Sequence, residues 1–282
     1  MEDVMVPSRR FEIAMQCDFL DPKTIGGVAD QILDRLGSSL EIGLDNWQPA
    51  KVFVRDGPNC MVDREIHVSP KRSGKRLSAN DWFELLFAHE LTHLLIAEAW
   101  GIAPVLFWEG VPVFMADNFT RSRVLGTTYH ECSRALLENE RLLPLSELLL
   151  PRSYHARRTD SRVDIQAGSF SGYLLQSFGV GPMRALATDY VAPSAEVPRM
   201  LLTPLLKRHF DSDLPGLEAK WTHFLETEVA CRSALVEQLS GSKTTRGAVP
   251  PLRCNFCGHR LNQSQLACSS CGIDAEIVIE IE

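Results

Sequence analysis

The stretch FAHELTHLLIAEAWG, residues 87–101, constrains the fold more than any other. Apolar residues fall on nearly every side of it, so it reads as a helix buried in a core. Yet His89, Glu90 and His93 all lie within five of its residues. Burying ionisable groups is costly unless something pairs with them. The fold must therefore bring a polar surface or an ion to this point. His89 and His93 are four apart. At about 3.6 residues per turn they project from one helix face on consecutive turns. Two imidazole nitrogens can then reach one ion at about 2.0–2.1 Å, the distance zinc prefers. Glu90 is rotated about 100° from His89, so it flanks the ion without ligating it. That position suits a general base acting on metal-bound water. A single histidine here would be an ordinary satisfied core histidine; the pair with Glu90 predicts a metal site.

A catalytic zinc needs a third protein ligand and an open position for water. Glu98 is too near on the same helix. Glu109, in FWEGVPVFMADN, comes sixteen residues after His93, beyond Gly101 and Pro104, which turn the chain. A second helix returning beside the first would aim Glu109 at the ion, and Gly110 would permit close helix approach. Asp117, His130 and Glu131 follow as further candidates. Alone, Glu109 would read as a solvated glutamate at a helix start, stabilised by the dipole; after HELTH it is the favoured ligand. Asp117, about two turns later, is a candidate acceptor for a ligand histidine's other ring nitrogen.

The surrounding pattern predicts strands early and helices late. RRFEIAMQCDF, AKVFVRDG and REIHVSP read as strands, with Ile66 and Val68 on one face of the last. Residues 23–36 have helical spacing, with Gly37 as a stop. Ser78 with Asp81 fits a capping box, so the helix carrying HELTH begins near there and stops at Gly101. Beyond Pro104 come helical segments, VLFWEGVPVFMADNFTRSR, HECSRALLENERLLPLSELL, AGSFSGYLLQSFGVGPMRALATDYV and GLEAKWTHFLETEVACRSALVEQL. This order implies an α+β domain over residues 1–239. SGSKTTRGAVPPLR, residues 240–253, is rich in Gly, Ser, Thr and Pro and reads as a linker.

The tail, residues 254–282, carries CNFCGHRLNQSQLACSSCG. Cys254, Cys257, Cys268 and Cys271 form two CxxC knuckles, each followed by a glycine that permits positive φ. Together they complete a site of four thiolates, and the ion would supply the folding energy that so short a tail lacks. A structural zinc is therefore expected here in addition to the catalytic one. Cys17, Cys60, Cys132 and Cys231 have no regular spacing and read as reduced thiols. The formal net charge of −7 argues against a dedicated nucleic-acid binder. With no secretory signal and no long apolar run, the expected setting is cytoplasmic, without a membrane span.

HELTH followed by WEG resembles the gluzincin zinc peptidases, in particular the peptidase-MA-like group. The likeness extends to LLPLSELL and AGSFSGYLLQSFG and spans roughly residues 52–187. It implies a zincin-like, thermolysin-like fold, zinc held by His89, His93 and Glu109, and Glu90 as the water-activating base; because no exopeptidase motif is visible, endopeptidase chemistry is expected. REIHVSP would be the edge strand along which a protein or peptide substrate lies. Two departures stand out. Pro112 occupies a position where a small residue is usual, and costs little only if its helix starts at Trp108. Related aminopeptidases carry a tyrosine that stabilises the oxyanion; the corresponding count back from Tyr173 gives Asp164. Tyr173, Tyr154 and His155 are the substitutes. The tail resembles rubredoxin-like zinc ribbons over residues 253–272, with recruitment of a protein partner or substrate as the implied role. Two rival readings remain. One is a catalytically degenerate gluzincin used as a zinc-stabilised interaction module. The other is a DNA-associated protease of the SprT type, which has a third histidine where this chain has Glu109.

Overall fold

The computed structural model describes residues 3–70, 77–119, 127–149, 154, 157, 160–190 and 202–231. The expected linker, the four-cysteine ribbon and His155 lie outside the described residues. The architecture is mixed α and β, built on a five-stranded sheet. The chain divides into two compact units, Met1–Ala99 with Met115–Gly126, and Trp100–Phe114 with Thr127–Glu282.

The first unit holds the sheet. Strands β1 (Val4–Val6), β2 (Phe11–Met15), β3 (Ala50–Val54), β4 (Cys60–Val62) and β5 (Glu65–Val68) lie in the order β1-β2-β3-β5-β4. β2, β3 and β5 run parallel, while β1 and β4 pair antiparallel at the two edges. Helix α1 (Pro22–Ser39) provides the crossover that the parallel β2–β3 pair requires. Its start is set by Asp21, whose carboxylate accepts the Lys23 amide, and by Pro22 in the first turn. It runs past the expected stop at Gly37, which instead lets the chain at Leu44 approach closely. Phe11, Ile13, Met15, Val52, Val54, Ile66 and Val68 alternate into the core. α1 and α2 (Ala79–Ala99) pack on each other and on the sheet, α1 against β1 and β2, α2 against β4 and β5.

One expectation is corrected here. REIHVSP is not an edge strand, because β5 lies between β3 and β4. A tight turn at Asp63, with φ 53°, folds Cys60–Val62 back onto it and makes β4 the edge.

The second unit is helical. It contains residues 105–114 of α3 (Val105–Phe119), then α4 (Tyr129–Glu138), α5 (Leu145–Leu148), α6 (Arg162–Phe178), α7 (Val180–Asp189), α8 (Leu202–Phe210) and α9 (Leu214–Glu228). Phe107, Phe170 and Trp221 are among the large side chains at its centre. Two segments that read as continuous helices are broken. HECSRALLENERLLPLSELL divides where Glu140 takes φ 53°, and SFGVGP divides at Gly179 with φ 80°. Among the described residues, no helix is long and apolar enough to cross a membrane.

Candidate metal centre

The position of His89 and His93 follows from how α2 is anchored. Its start is fixed by the expected capping box: the Ser78 amide donates to the Asp81 carboxylate at 2.9 Å, and the Asp81 amide donates to Ser78 Oγ at 3.1 Å. Its end precedes Gly101, which takes φ 95° as only glycine does readily. Between these points Phe83, Phe87, Leu91, Leu94 and Leu95 are buried. Phe87 meets Phe11 of β2 edge-on with ring centroids 5.3 Å apart. Thr92 is also buried and returns its hydroxyl to the Ala88 carbonyl at 2.7 Å, so it makes no demand on its surroundings.

On this frame the Nε2 atoms of His89 and His93 lie 3.2 Å apart. Two nitrogens each about 2.05 Å from one tetrahedral ion would be about 3.3 Å apart, so the pair already has the spacing of two ligands. Glu90 and His93 are 7% and 4% exposed. Both side chains are thus held out of bulk water, where electrostatic interactions are stronger.

Glu109 comes from α3, whose first turn closes on Pro104 through the amides of Phe107 and Trp108. The helix therefore begins at Val105 and Pro112 falls inside it, not in its first turn. Pro112 has no N–H to give to the Trp108 carbonyl, and the helix nevertheless continues to Phe119. α3 is held by close packing on α6. A Cβ on Gly110 would stand 2.2 Å from Ser171 Oγ and 2.4 Å from the Ala167 carbonyl oxygen. Gly168 and Gly172 of α6 receive Val113 and Phe114 of α3 in the same way. Three glycines thus interlock α3 and α6 beside Glu109; at Gly110 the close approach is to α6, where the sequence suggested one to the HELTH helix.

His89, His93 and Glu109 each offer one ligand atom, and these atoms all lie within 4.8 Å of one another. Two imidazoles and a carboxylate form a donor set suited to zinc with a position left for water. Among the described residues it is the only such group of three or more. The other candidates have different places. Glu98 pairs with Arg64. Glu131 completes a capping box with Thr128 at the start of α4. His130 Nδ1 is 3.0 Å from Ser169 Oγ, and its ring packs on Phe114 and Phe224. Asp117 is buried.

Of the candidate tyrosines, Tyr173 is buried with its ring against Phe178 and Phe224, and burial raises its phenol pKa. Tyr154 donates its hydroxyl to Asp164 at 3.3 Å. Asp164, the residue standing at the tyrosine's counted position, is thus itself a tyrosine's partner.

Two residues were missed in the sequence. The thiol of Cys60 on β4 is pushed up to about 11 by burial and by the charge of Glu90. Nothing in the irregular cysteine spacing signals that neighbour. Ser171 sits in SFSGY as one small residue among several, and only the packing against Gly110 distinguishes it. Comparison of the chain with protein-family models, with curated proteins and with solved structures gave no match.

Proposed function

We propose that this protein is a zinc-dependent endopeptidase of gluzincin type, acting on a protein or peptide substrate. The observation that carries the reading is the His89–His93–Glu109 group with Glu90 buried beside His89 on the same helix. Zinc held by the three ligands would acidify water and polarise a substrate carbonyl. Glu90 takes the proton from the attacking water and hands it to the leaving amine. Its burial keeps competing water away from the carboxylate. β4 is the sheet edge packed against α2, and among the described residues it pairs only with β5. A substrate in extended form would add to its outer side by backbone pairing. β4 thus takes the place that the sequence suggested for REIHVSP. The parallel sheet, its antiparallel edge and the HELTH helix packed on it support a zincin-like fold.

The tail holds a second, structural zinc through Cys254, Cys257, Cys268 and Cys271 and recruits a protein partner or substrate. The protein works in the cytoplasm without nucleic acid. Metal counting on the full chain tests the two sites. Two zinc per chain are expected in the wild type, one after His89→Ala and one after Cys254→Ala. One zinc in the wild type, lost with Cys254→Ala and kept in His89→Ala, would refute the catalytic site.

A second reading, a degenerate gluzincin serving as an interaction module, is favoured by the commitment of Tyr154 to Asp164 and of Tyr173 to aromatic packing. It predicts the same two zinc without cleavage.

A further inference from the structure

We infer that the substrates are extended segments carrying three consecutive uncharged, apolar residues on one side of the scissile bond. The inference rests on the peptidase reading above and names the substrate class for it. It is carried by β4, the edge strand packed against α2. Natural edge strands avoid stray pairing through charge, proline, bulges or sheer shortness. β4 has only its shortness. Cys60, Met61 and Val62 are uncharged, their pairing with β5 is unbroken, and all three are half-buried. A strand added along β4 covers the half of each side chain that remains open.

The register says which side chain each substrate residue meets. Met61 stands opposite Ile66, a fully buried residue on the α2 side of the sheet. Cys60 and Val62 stand opposite His67 and Glu65, on the other face. Side chains alternate between faces along a strand. A substrate residue paired with Met61 is therefore turned towards α2, and those paired with Cys60 and Val62 are turned away from it. On both faces the nearest neighbour on β4 is apolar, and such cross-strand pairs are what stabilises an added strand.

Two interactions fix how β4 runs along α2. Arg64, two residues past the end of β4, pairs with Glu98. Glu98 is eight residues after Glu90, about 12 Å further along the helix. The other end of β4 lies towards Glu90, since burial and then the charge of Glu90 act on the Cys60 thiol. The scissile bond therefore falls at the Cys60 end, beside the base, and the three positions run from it towards Val62. An acidic residue is rejected most strongly opposite Cys60, where it meets the like charge of Glu90.

The test is digestion of a random peptide library by the zinc-loaded full chain, wild type and Val62→Lys, with cleavage positions read by mass spectrometry. kcat/KM is then measured on versions of the best peptide that carry valine or alanine at the three positions. The valine version should exceed the alanine version by about 3- to 100-fold, the combined effect of three cross-strand pairs. In the wild type, aspartate should be disfavoured at all three positions and most of all next to the scissile bond. Val62→Lys should turn the outermost of the three positions to a preference for acidic residues and leave the other two as they were. Equal rates for valine and alanine would overturn the inference. So would a Val62→Lys profile that matches the wild type or changes alike at all three positions. Should the variant not fold, the wild-type valine-to-alanine ratio decides alone. If the zinc-loaded wild type cleaves no peptide at all, the peptidase reading itself has failed, and the substrate class falls with it.

Discussion

The Nε2 atoms of His89 and His93 stand 3.2 Å apart, one helical turn from each other. Without an ion, that distance is a hydrogen bond between two imidazoles of opposite tautomer. With an ion, both nitrogens must be free of hydrogen and point at one centre. Loading the site therefore needs a change of tautomer and little movement of α2, which Phe87 and the Ser78–Asp81 cap hold in place.

The ligand set predicts a graded loss of metal. If the proposed zinc is held as described above, His93→Ala or Glu109→Ala removes one of its three protein ligands, and the zinc proposed for the tail should be unaffected. The affinity lost should exceed the roughly 10–100-fold that an outer hydrogen-bond partner contributes. Competition with a chelating indicator on the full chain measures it.

Gly110→Ala tests the helix interlock. The new methyl would meet Ser171 Oγ at 2.2 Å and the Ala167 carbonyl oxygen at 2.4 Å, and the second of these is backbone. Overpacking of this kind costs about 1–3 kcal/mol. Urea denaturation should show that loss, and zinc affinity should fall with it because Glu109 is the adjacent residue. Gly181→Ala is the control. Nothing lies within 4 Å of a Cβ at Gly181, a residue of α7, so alanine should be neutral or stabilise by up to about 1 kcal/mol.

Much of this site was legible in the sequence because its signals are local. The spacing of His89 and His93 fixes a shared face, and the Ser78–Asp81 box and Gly101 mark the ends of α2. Glu109 was reachable as a candidate because a second helix returning after Gly101 and Pro104 could bring it to the histidines, while the full ligand set rested on the family resemblance. What was not legible depends on pairing across distance. β4 has three residues and no clear alternation, so β5 looked like an edge. The start of α3 was ambiguous because Pro112 normally marks a first turn, and close packing with α6 overrides that preference. The packing of Ser171 against Gly110 has no signature in a single sequence.

Cys60 reports on the charge of Glu90. Its thiol is pushed from 9.0 to about 11 by burial and by that carboxylate, since a negative neighbour disfavours a thiolate. At pH 8 the thiolate is then on the order of 100-fold rarer than at an unperturbed cysteine. In metal-free protein, Cys60 should be alkylated far more slowly than the exposed Cys231. Glu90→Gln removes the charge, lowers the thiol pKa and should speed the reaction. Site-resolved mass spectrometry of iodoacetamide labelling between pH 7 and about 10 checks both.

Tyr154 should behave as a structural partner. Its hydroxyl is engaged with Asp164, so Tyr154→Phe should lower stability by about 0.5–1.5 kcal/mol. Cleavage should stay within about threefold, because removing a true transition-state donor costs about 100-fold or more. Parallel denaturation and peptide-digest assays separate the two effects.

The most direct test of the central claim is digestion of a peptide library by the wild type and by Glu90→Gln, with zinc counted in both. The account predicts two zinc in each protein. It also predicts cleavage by the wild type that falls about 10²–10⁴-fold in Glu90→Gln, the span expected for loss of a general base. Cleavage that is equal in the two proteins, or absent from a fully zinc-loaded wild type, would contradict it.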